Sequence, residues 1–237
     1  MNAKVGWHDV ECGGYAADLE LWTGLARAAG GAVLDVGAGT GRVALALARA
    51  GIDVTALDID PELLGELERR AGEAGVAVPT VLADAADFDL AGREFAMIAA
   101  PMQTIQLLDD RDGFFACARR ALAPGGLVAL ALAEATEPFE ALDELPPPDR
   151  GEQDGWRFVS QPLAIRLRPG TMRIERRREL IAPDGARSAE PDVIELTLVS
   201  AGQLAAEAAP HGLRPEPSVH VPATADHVGS EVVLLRG

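Results

Sequence analysis

The stretch VLDVGAGTGR, Val33 to Arg42, constrains the fold more than any other part of the chain. Apolar residues run into Asp35, glycines alternate at Gly37, Gly39 and Gly41, and an Ala/Leu-rich segment follows at once. A continuously apolar strand, a turn free of Cβ atoms and then a helix is how a parallel sheet brings backbone up to a ligand at its carboxyl edge. Around this stretch AVLDV, IDVTALD, TVLAD, EFAMIAA and LVALALA read as five buried strands. Between them RVALALARA, the segment opening at Asp60-Pro61-Glu62, and FFACARRAL read as helices, with Asp60 as N-cap and Pro61 as first helical residue. Leu21, Trp22, Leu25, Ala28 and Ala29 predict one more helix within residues 10–29, stopped by Gly30-Gly31. Strand–helix alternation of this kind implies right-handed crossovers and a doubly wound α/β sheet.

The pattern changes after Pro146-Pro147-Pro148. Segments near 156–168, 172–182 and 192–199 alternate with a period near 2, separated by Pro169-Gly170 and by PDGA at 183–186. They predict an antiparallel meander with Ile165, Leu167, Ile194, Leu196 and Leu198 on its apolar face. A helix near 200–211 and strands near 214–221 and 231–236 complete a seven-stranded main sheet. The expected organisation is a core of residues 1–151 plus 200–237 with an antiparallel β insertion at 152–199. Leaving from the carboxyl end of the fifth strand, the insertion is expected to form a lid over that edge of the sheet. Its apolar face needs cover, from the core or from a second copy in a homodimer.

Several function classes lose weight on composition. No apolar run is long enough for a membrane-spanning helix, and the first residues lack an apolar core followed by a cleavage site. Cys12 and Cys117 are too few for a disulfide framework and form no C-x-x-C pair, so a reducing, cytoplasmic setting without structural zinc is expected. The net charge of -16, from 37 acids against 21 bases, repels phosphate backbones and argues against nucleic-acid partners.

The glycines are spaced G-x-G-x-G, and Arg42 stands where the third glycine of a dinucleotide fingerprint belongs. Asp35, Asp58 and Asp84 all fall at or near strand carboxyl ends, and acids crowding that crevice repel a pyrophosphate. They suit a ligand with two positive groups and one carboxylate. S-adenosylmethionine has that charge pattern, and here the sequence resembles the class I S-adenosylmethionine-dependent methyltransferases. VLDVGAGTGR is similar to their first motif, VTALDID to the second, LADAADF to the third, and ALAPGGLVAL to their approach to strand five.

The resemblance implies a cofactor site of Asp35, Gly37, Ala38, Gly39, Thr40, Gly41, Asp58, Ile59, Asp84, Ala85 and Ala100. It implies that Asp58 accepts the ribose hydroxyls, that Asp84 faces the adenine amine and that Ala85 faces the ring. The product would be S-adenosylhomocysteine, and the acceptor a small molecule methylated at N or O. The strand-four edge, AAPMQTIQLL, lacks the Asn/Asp-Pro-Pro-Tyr motif of nucleic-acid and glutamine N-methyltransferases. Ala99 and Ala100 supply none of the metal-binding acids of catechol-type enzymes, so no catalytic metal is expected. The segment instead resembles that of sugar N-methyltransferases and glycine N-methyltransferase-like enzymes, which also carry an insertion after strand five.

Candidates for catalysis are few. Tyr15, the only tyrosine, could serve beside the sulfonium or simply pack, and Gln103 could orient an acceptor. His8, His211, His220 and His227 are scattered, and a lone histidine is more often satisfied or solvated than a base. Arginines 166, 168, 173, 176, 177 and 178 read either as a solvated, salt-bridged sheet face or as a positive lid facing an anionic acceptor or another subunit. Two rival readings remain open: a cofactor-binding but non-catalytic methyltransferase-like subunit, and an NAD(P)-dependent oxidoreductase.

Overall fold

The computed structural model describes residues 2–133, 139–140, 147–224 and 228–237. The chain forms two compact units: Met1–Tyr15 with Ala135–Leu198, and Ala16–Glu134 with Val199–Gly237. Residues 1–15 therefore go with the antiparallel strands, whereas the sequence reading put them with the parallel sheet.

The larger unit is built on a seven-stranded sheet. Its strands are β1 (Val33–Val36), β2 (Val54–Asp58), β3 (Thr80–Leu82), β4 (Phe95–Ala100), β5 (Leu122–Ala133), and two C-terminal strands numbered below as β11 (Arg214–Val221) and β12 (Ser230–Arg236). The order is β11-β12-β5-β4-β1-β2-β3. β1 to β5 run parallel, and β12 pairs antiparallel with both β5 and β11. This is the doubly wound sheet that the alternation predicts. β1 and β2 lie between other strands under helices and are buried at every position, which is why their sequence is an unbroken apolar run apart from Asp35, Thr55 and Asp58.

The helices of this unit are α2 (Leu19–Ala29), α3 (Arg42–Arg49), α4 (Pro61–Ala74), α5 (Thr104–Leu107), α6 (Arg111–Ala121) and α7 (Ala201–Ala208). Asp60 caps α4, accepting from the amides of Glu62 and Leu63, and Pro61 occupies the first turn. Ser200 and Gln203 form a reciprocal capping box on α7. The helix predicted within 10–29 is α2, which begins at Leu19 and is stopped by Gly30 in the left-handed conformation. Asp18 does not cap α2 with its side chain because that carboxylate is used elsewhere. Buried against fully buried Trp22, it accepts the indole N–H at 2.8 Å and both Arg42 guanidinium Nη atoms at 2.5 and 3.0 Å. This bidentate pair ties α2 to the start of α3, directly after the glycine loop.

In the smaller unit a second sheet has the order β10-β9-β8-β6, with β7 also paired to β8. Its strands are β6 (Phe139–Glu140), β7 (Asp149–Gln153), β8 (Trp156–Arg168), β9 (Thr171–Ile181) and β10 (Arg187–Thr197). The meander is thus extended by two strands on the β8 side. Its third strand begins at Arg187 rather than near 192, because the turn closes at once with the Ala182 amide on the Ala186 carbonyl. Pro191 is tolerated there because β10 is an edge strand with no outer ladder partner for its missing N–H. The register puts Ile165, Leu167, Met172, Ile174, Ile194 and Leu196 on one face, as the alternation predicts.

The same face receives the N-terminal segment, α1 (Ala3–His8) followed by a π-helical turn at Asp9–Gly13. Trp7 packs edge-on to Phe158 with centroids 4.9 Å apart. Glu11, nearly buried, accepts from Arg178 at 2.6 and 2.8 Å, from Arg176 at 3.1 Å and from the Ser160 hydroxyl at 2.8 Å. The arginines and the serine hold the Glu11 carboxylate ionised below its usual range in spite of burial. Among the described residues no helix is long and apolar enough to cross a membrane.

The buried Asp18–Arg42 pair predicts a large cost for removing one partner. Asp18→Ala strands a buried guanidinium and an indole N–H, and should lower unfolding stability by about 3–5 kcal/mol. A denaturation midpoint unchanged from the parent would show that the pair contributes little.

Candidate functional site

Four neighbouring strands, β4, β1, β2 and β3, deliver the sequence-predicted cofactor residues to one sheet edge. Ala100 ends β4, Asp35 lies in the last turn of β1, Asp58 ends β2, and Asp84 and Ala85 follow β3. The glycine loop bridges β1 to α3, with Gly37, Gly39 and Gly41 at φ of 70, 55 and 93°. A side chain is strained in that left-handed region. At Gly37 the space is also taken, since a Cβ would lie 2.6 Å from the Thr104 methyl and 2.7 Å from its hydroxyl.

The loop is held by the neighbouring strand. The Gly37 and Ala38 amides both donate to the Leu57 carbonyl, and the Gly39 amide donates to Asp58 Oδ2 at 2.7 Å. Asp58 Oδ1 accepts the Asp60 amide at 2.9 Å. A carboxylate has about four lone-pair positions, so two acceptor directions remain after these bonds. Ile59, the next residue, is 68% exposed, an unusual exposure for a large apolar side chain at the end of a central strand. Thr40 is buried, and Ala85 is nearly so.

Asp35 is the electrostatic anomaly. It is 1% exposed, and neither carboxylate oxygen makes a well-formed hydrogen bond in the protein, although the Ala44 amide lies close enough to favour its charged form. Burial pushes its carboxyl up from 3.8 to about 7, helped by the Asp58 and Asp18 carboxylates and opposed by the Arg42 guanidinium and the Ala44 amide. A buried acid without a well-formed hydrogen bond costs stability and needs a functional reason. An ammonium group of a ligand would supply the missing partner.

The candidates for catalysis belong to different parts of the chain and are described one by one. Gln103 is the N-cap of the short α5, half-buried, and its carbonyl accepts the Gln106 and Leu107 amides. Tyr15 belongs to the smaller unit, where it is buried and its amide donates to the Cys12 carbonyl. His211 pairs with Asp112 at 2.9 Å, His220 is an exposed residue of β11 and His8 ends α1. His227 lies outside the described residues. Among the described residues no group of three or more His, Cys, Asp or Glu could hold a metal ion.

Three contributors escape the sequence motifs. Met102 sits in the left-handed region at φ 55°, just past β4. Thr104 packs into the space that Gly37 leaves. Gln106, 2% exposed, accepts the Ala133 amide at 2.8 Å and so fixes the end of β5. A polar residue inside the apolar run IQLL was the only sign of the last.

Comparison with known proteins agrees with this architecture. Residues 33–126 match the family described as "Methyltransferase domain". The ribosomal RNA small subunit methyltransferase A of Corynebacterium jeikeium is 42% identical over 77 residues, 30% of this chain and 23% of that protein. The chain thus spans about a quarter of the length of the curated relatives it matches. The sugar N-methyltransferase KedS8 from Streptoalloteichus sp superposes with a TM-score of 0.72 at 23% identity, covering 98% of this chain and 92% of that one. CalS10, an amino pentose methyltransferase from Micromonospora echinaspora, gives 0.69 at 20% identity, covering 98% and 97%. The fold is the one these two methyltransferases share.

The Asp35 environment generates a pH prediction. Its folded-state pKa, about 7, lies above the unfolded value of 3.8. Between these values the folded protein holds a proton that the unfolded chain has released, so this group's contribution falls as pH rises from about 4 to 7. Asp35→Asn removes that component, worth at most about 4 kcal/mol. The melting temperature of the variant relative to the parent should therefore climb across this window. A constant difference would mean that Asp35 is ionised throughout.

Proposed function

We propose that the protein transfers the methyl group of S-adenosylmethionine to a nitrogen or oxygen of a small-molecule acceptor, releasing S-adenosylhomocysteine. The observation that carries this reading is the buried Asp35, without a well-formed hydrogen bond, beside a glycine loop tied to Asp58. The residues fit the cofactor: Asp35 would accept its ammonium, Asp58 its ribose hydroxyls, and the exposed Ile59 and buried Ala85 would flank its base. A dinucleotide fits less well, because its pyrophosphate would meet Asp35 and Asp58 at the same edge.

When bound, the cofactor supplies a methyl carbon already activated by its sulfonium for in-line displacement by an acceptor lone pair. The protein's task is then alignment, which in favourable cases supplies about 7–11 kcal/mol of the barrier. The glycine loop, locked by Thr104 on one side and Asp58 on the other, is a rigid platform for that purpose. Acceptor choice is read here as small-molecule because the neighbouring folds of full coverage are described as sugar and amino pentose methyltransferases. Their amino-sugar acceptors make a nitrogen the first candidate, and Gln103 and Tyr15 the residues to test for orienting it.

Calorimetry with S-adenosylmethionine, S-adenosylhomocysteine and NAD(P)H tests the reading directly. Binding of the first two without the third is expected, and tight nicotinamide binding alone would overturn the proposal. Asp58→Ala loses charge-assisted bonds to ribose worth roughly 1.5–3 kcal/mol each, so S-adenosylhomocysteine affinity should fall about tenfold or more. Equal affinity in variant and parent would remove Asp58 from the site.

A further inference from the structure

The turn after β3 poses a mechanical problem. β3 has only three residues and is the edge of the main sheet, so the sheet holds this turn from one side alone. The turn nevertheless carries Asp84 and Ala85. Within it, Asp84 Oδ1 accepts the Ala86 amide at 2.8 Å, and the Asp87 amide returns to the Asp84 carbonyl at 3.1 Å. Those bonds shape the turn without fixing it to the protein.

The fixing comes from α6. Gly113, Cys117 and Arg120 are spaced i, i+4 and i+7, which aligns them along one helical stripe. Gly113 lets the turn come close, since a Cβ there would lie 2.6 Å from the Ala86 carbonyl oxygen. Cys117, 3% exposed, donates its S–H to that carbonyl at 3.5 Å and accepts the Phe88 amide at 3.4 Å. Arg120 Nη2 donates to the Phe88 carbonyl at 3.0 Å and to Cys117 Sγ at 3.0 Å. Both ends of the 86–88 segment are therefore pinned to one helix face, while Asp84 itself stays exposed.

We infer that the Gly113–Cys117–Arg120 stripe of α6 positions the Asp84–Phe88 turn so that it discriminates the base of the bound nucleoside. The inference rests on the proposed use of S-adenosylmethionine. Cys117 and Arg120 act here as positioning residues, remote from the reacting methyl group. The thiol fits the role because it gives and receives hydrogen bonds while belonging to the apolar core cluster that also holds Phe88 and Phe114.

The test compares S-adenosylhomocysteine with S-inosylhomocysteine, in which an oxo group replaces the 6-amino group, by calorimetry on the full chain. The parent should prefer the adenine ligand by about tenfold, the value of one well-made hydrogen bond. Cys117→Ala should narrow that preference to about twofold or less, and Cys117→Ser, which keeps a donor and an acceptor, should restore most of it. Arg120→Gln, at an exposed position, is a second variant expected to narrow it in the same direction. Asp58→Ala should weaken both ligands and leave the ratio intact. A full preference in Cys117→Ala and Arg120→Gln, whatever their melting temperatures, would overturn the inference, as would a parent indifferent to the base. A parent that binds neither ligand would instead overturn the proposed cofactor, and this inference with it.

Discussion

One hydrogen bond organises the glycine-loop edge of the main sheet: the Gly39 amide on the Asp58 carboxylate, 2.7 Å long. It joins the turn after β1 to the end of β2, so these two strand ends cannot shift separately. The same carboxylate takes the Asp60 amide and so begins α4, whose N-cap is Asp60. Behind the loop, Thr104 occupies the volume that a Gly37 side chain would need, and carries the end of β4 into the same rigid body. A platform fixed on three sides suits a reaction in which the protein contributes alignment more than proton transfer.

Charge explains the second feature of this edge. The protein buries Asp35 without a well-formed hydrogen bond, and near it holds Arg42 by a bidentate contact with Asp18. Arg42 offsets only part of the desolvation penalty at Asp35, because its guanidinium is already committed to another carboxylate. What results is a site biased toward a cation. The strain of the unliganded acid is the kind of cost that persists where it serves binding.

In the smaller unit the arginines of the meander divide by face. Arg166 and Arg173 pair with Glu175, and Arg173 also with Glu195, a cross-strand pattern on a largely solvated surface. Arg176 and Arg178 project from the other face, where they enclose Glu11 and meet Asp192. Arg178 also lies 5.5 Å over the Trp7 ring. All four of these arginines are salt-bridged. The second pair does different work, docking the N-terminal segment on its sheet.

The amino-acid sequence by itself determined the sheet class, the existence of β1 to β5 and the placement of Asp35, Asp58 and Asp84 toward one end of their strands. Those depend on local signals: unbroken apolar runs for buried strands, glycines where φ must be positive, and Asp-Pro at a helix start. Asp35, Asp58 and Asp84 were legible for the same reason, each being an acid at a strand end. Only the tertiary structure decided which partners these groups have. Nothing near Asp18 in the chain points to Arg42, 24 residues away, nor near Glu11 to Arg178, 167 residues on. Gly113, Cys117 and Arg120 look like an ordinary helix until the turn at 84–88 is folded against them. Long-range pairing is set by where the sheet and helices bring backbones together, and a side chain's local sequence carries no record of that distance.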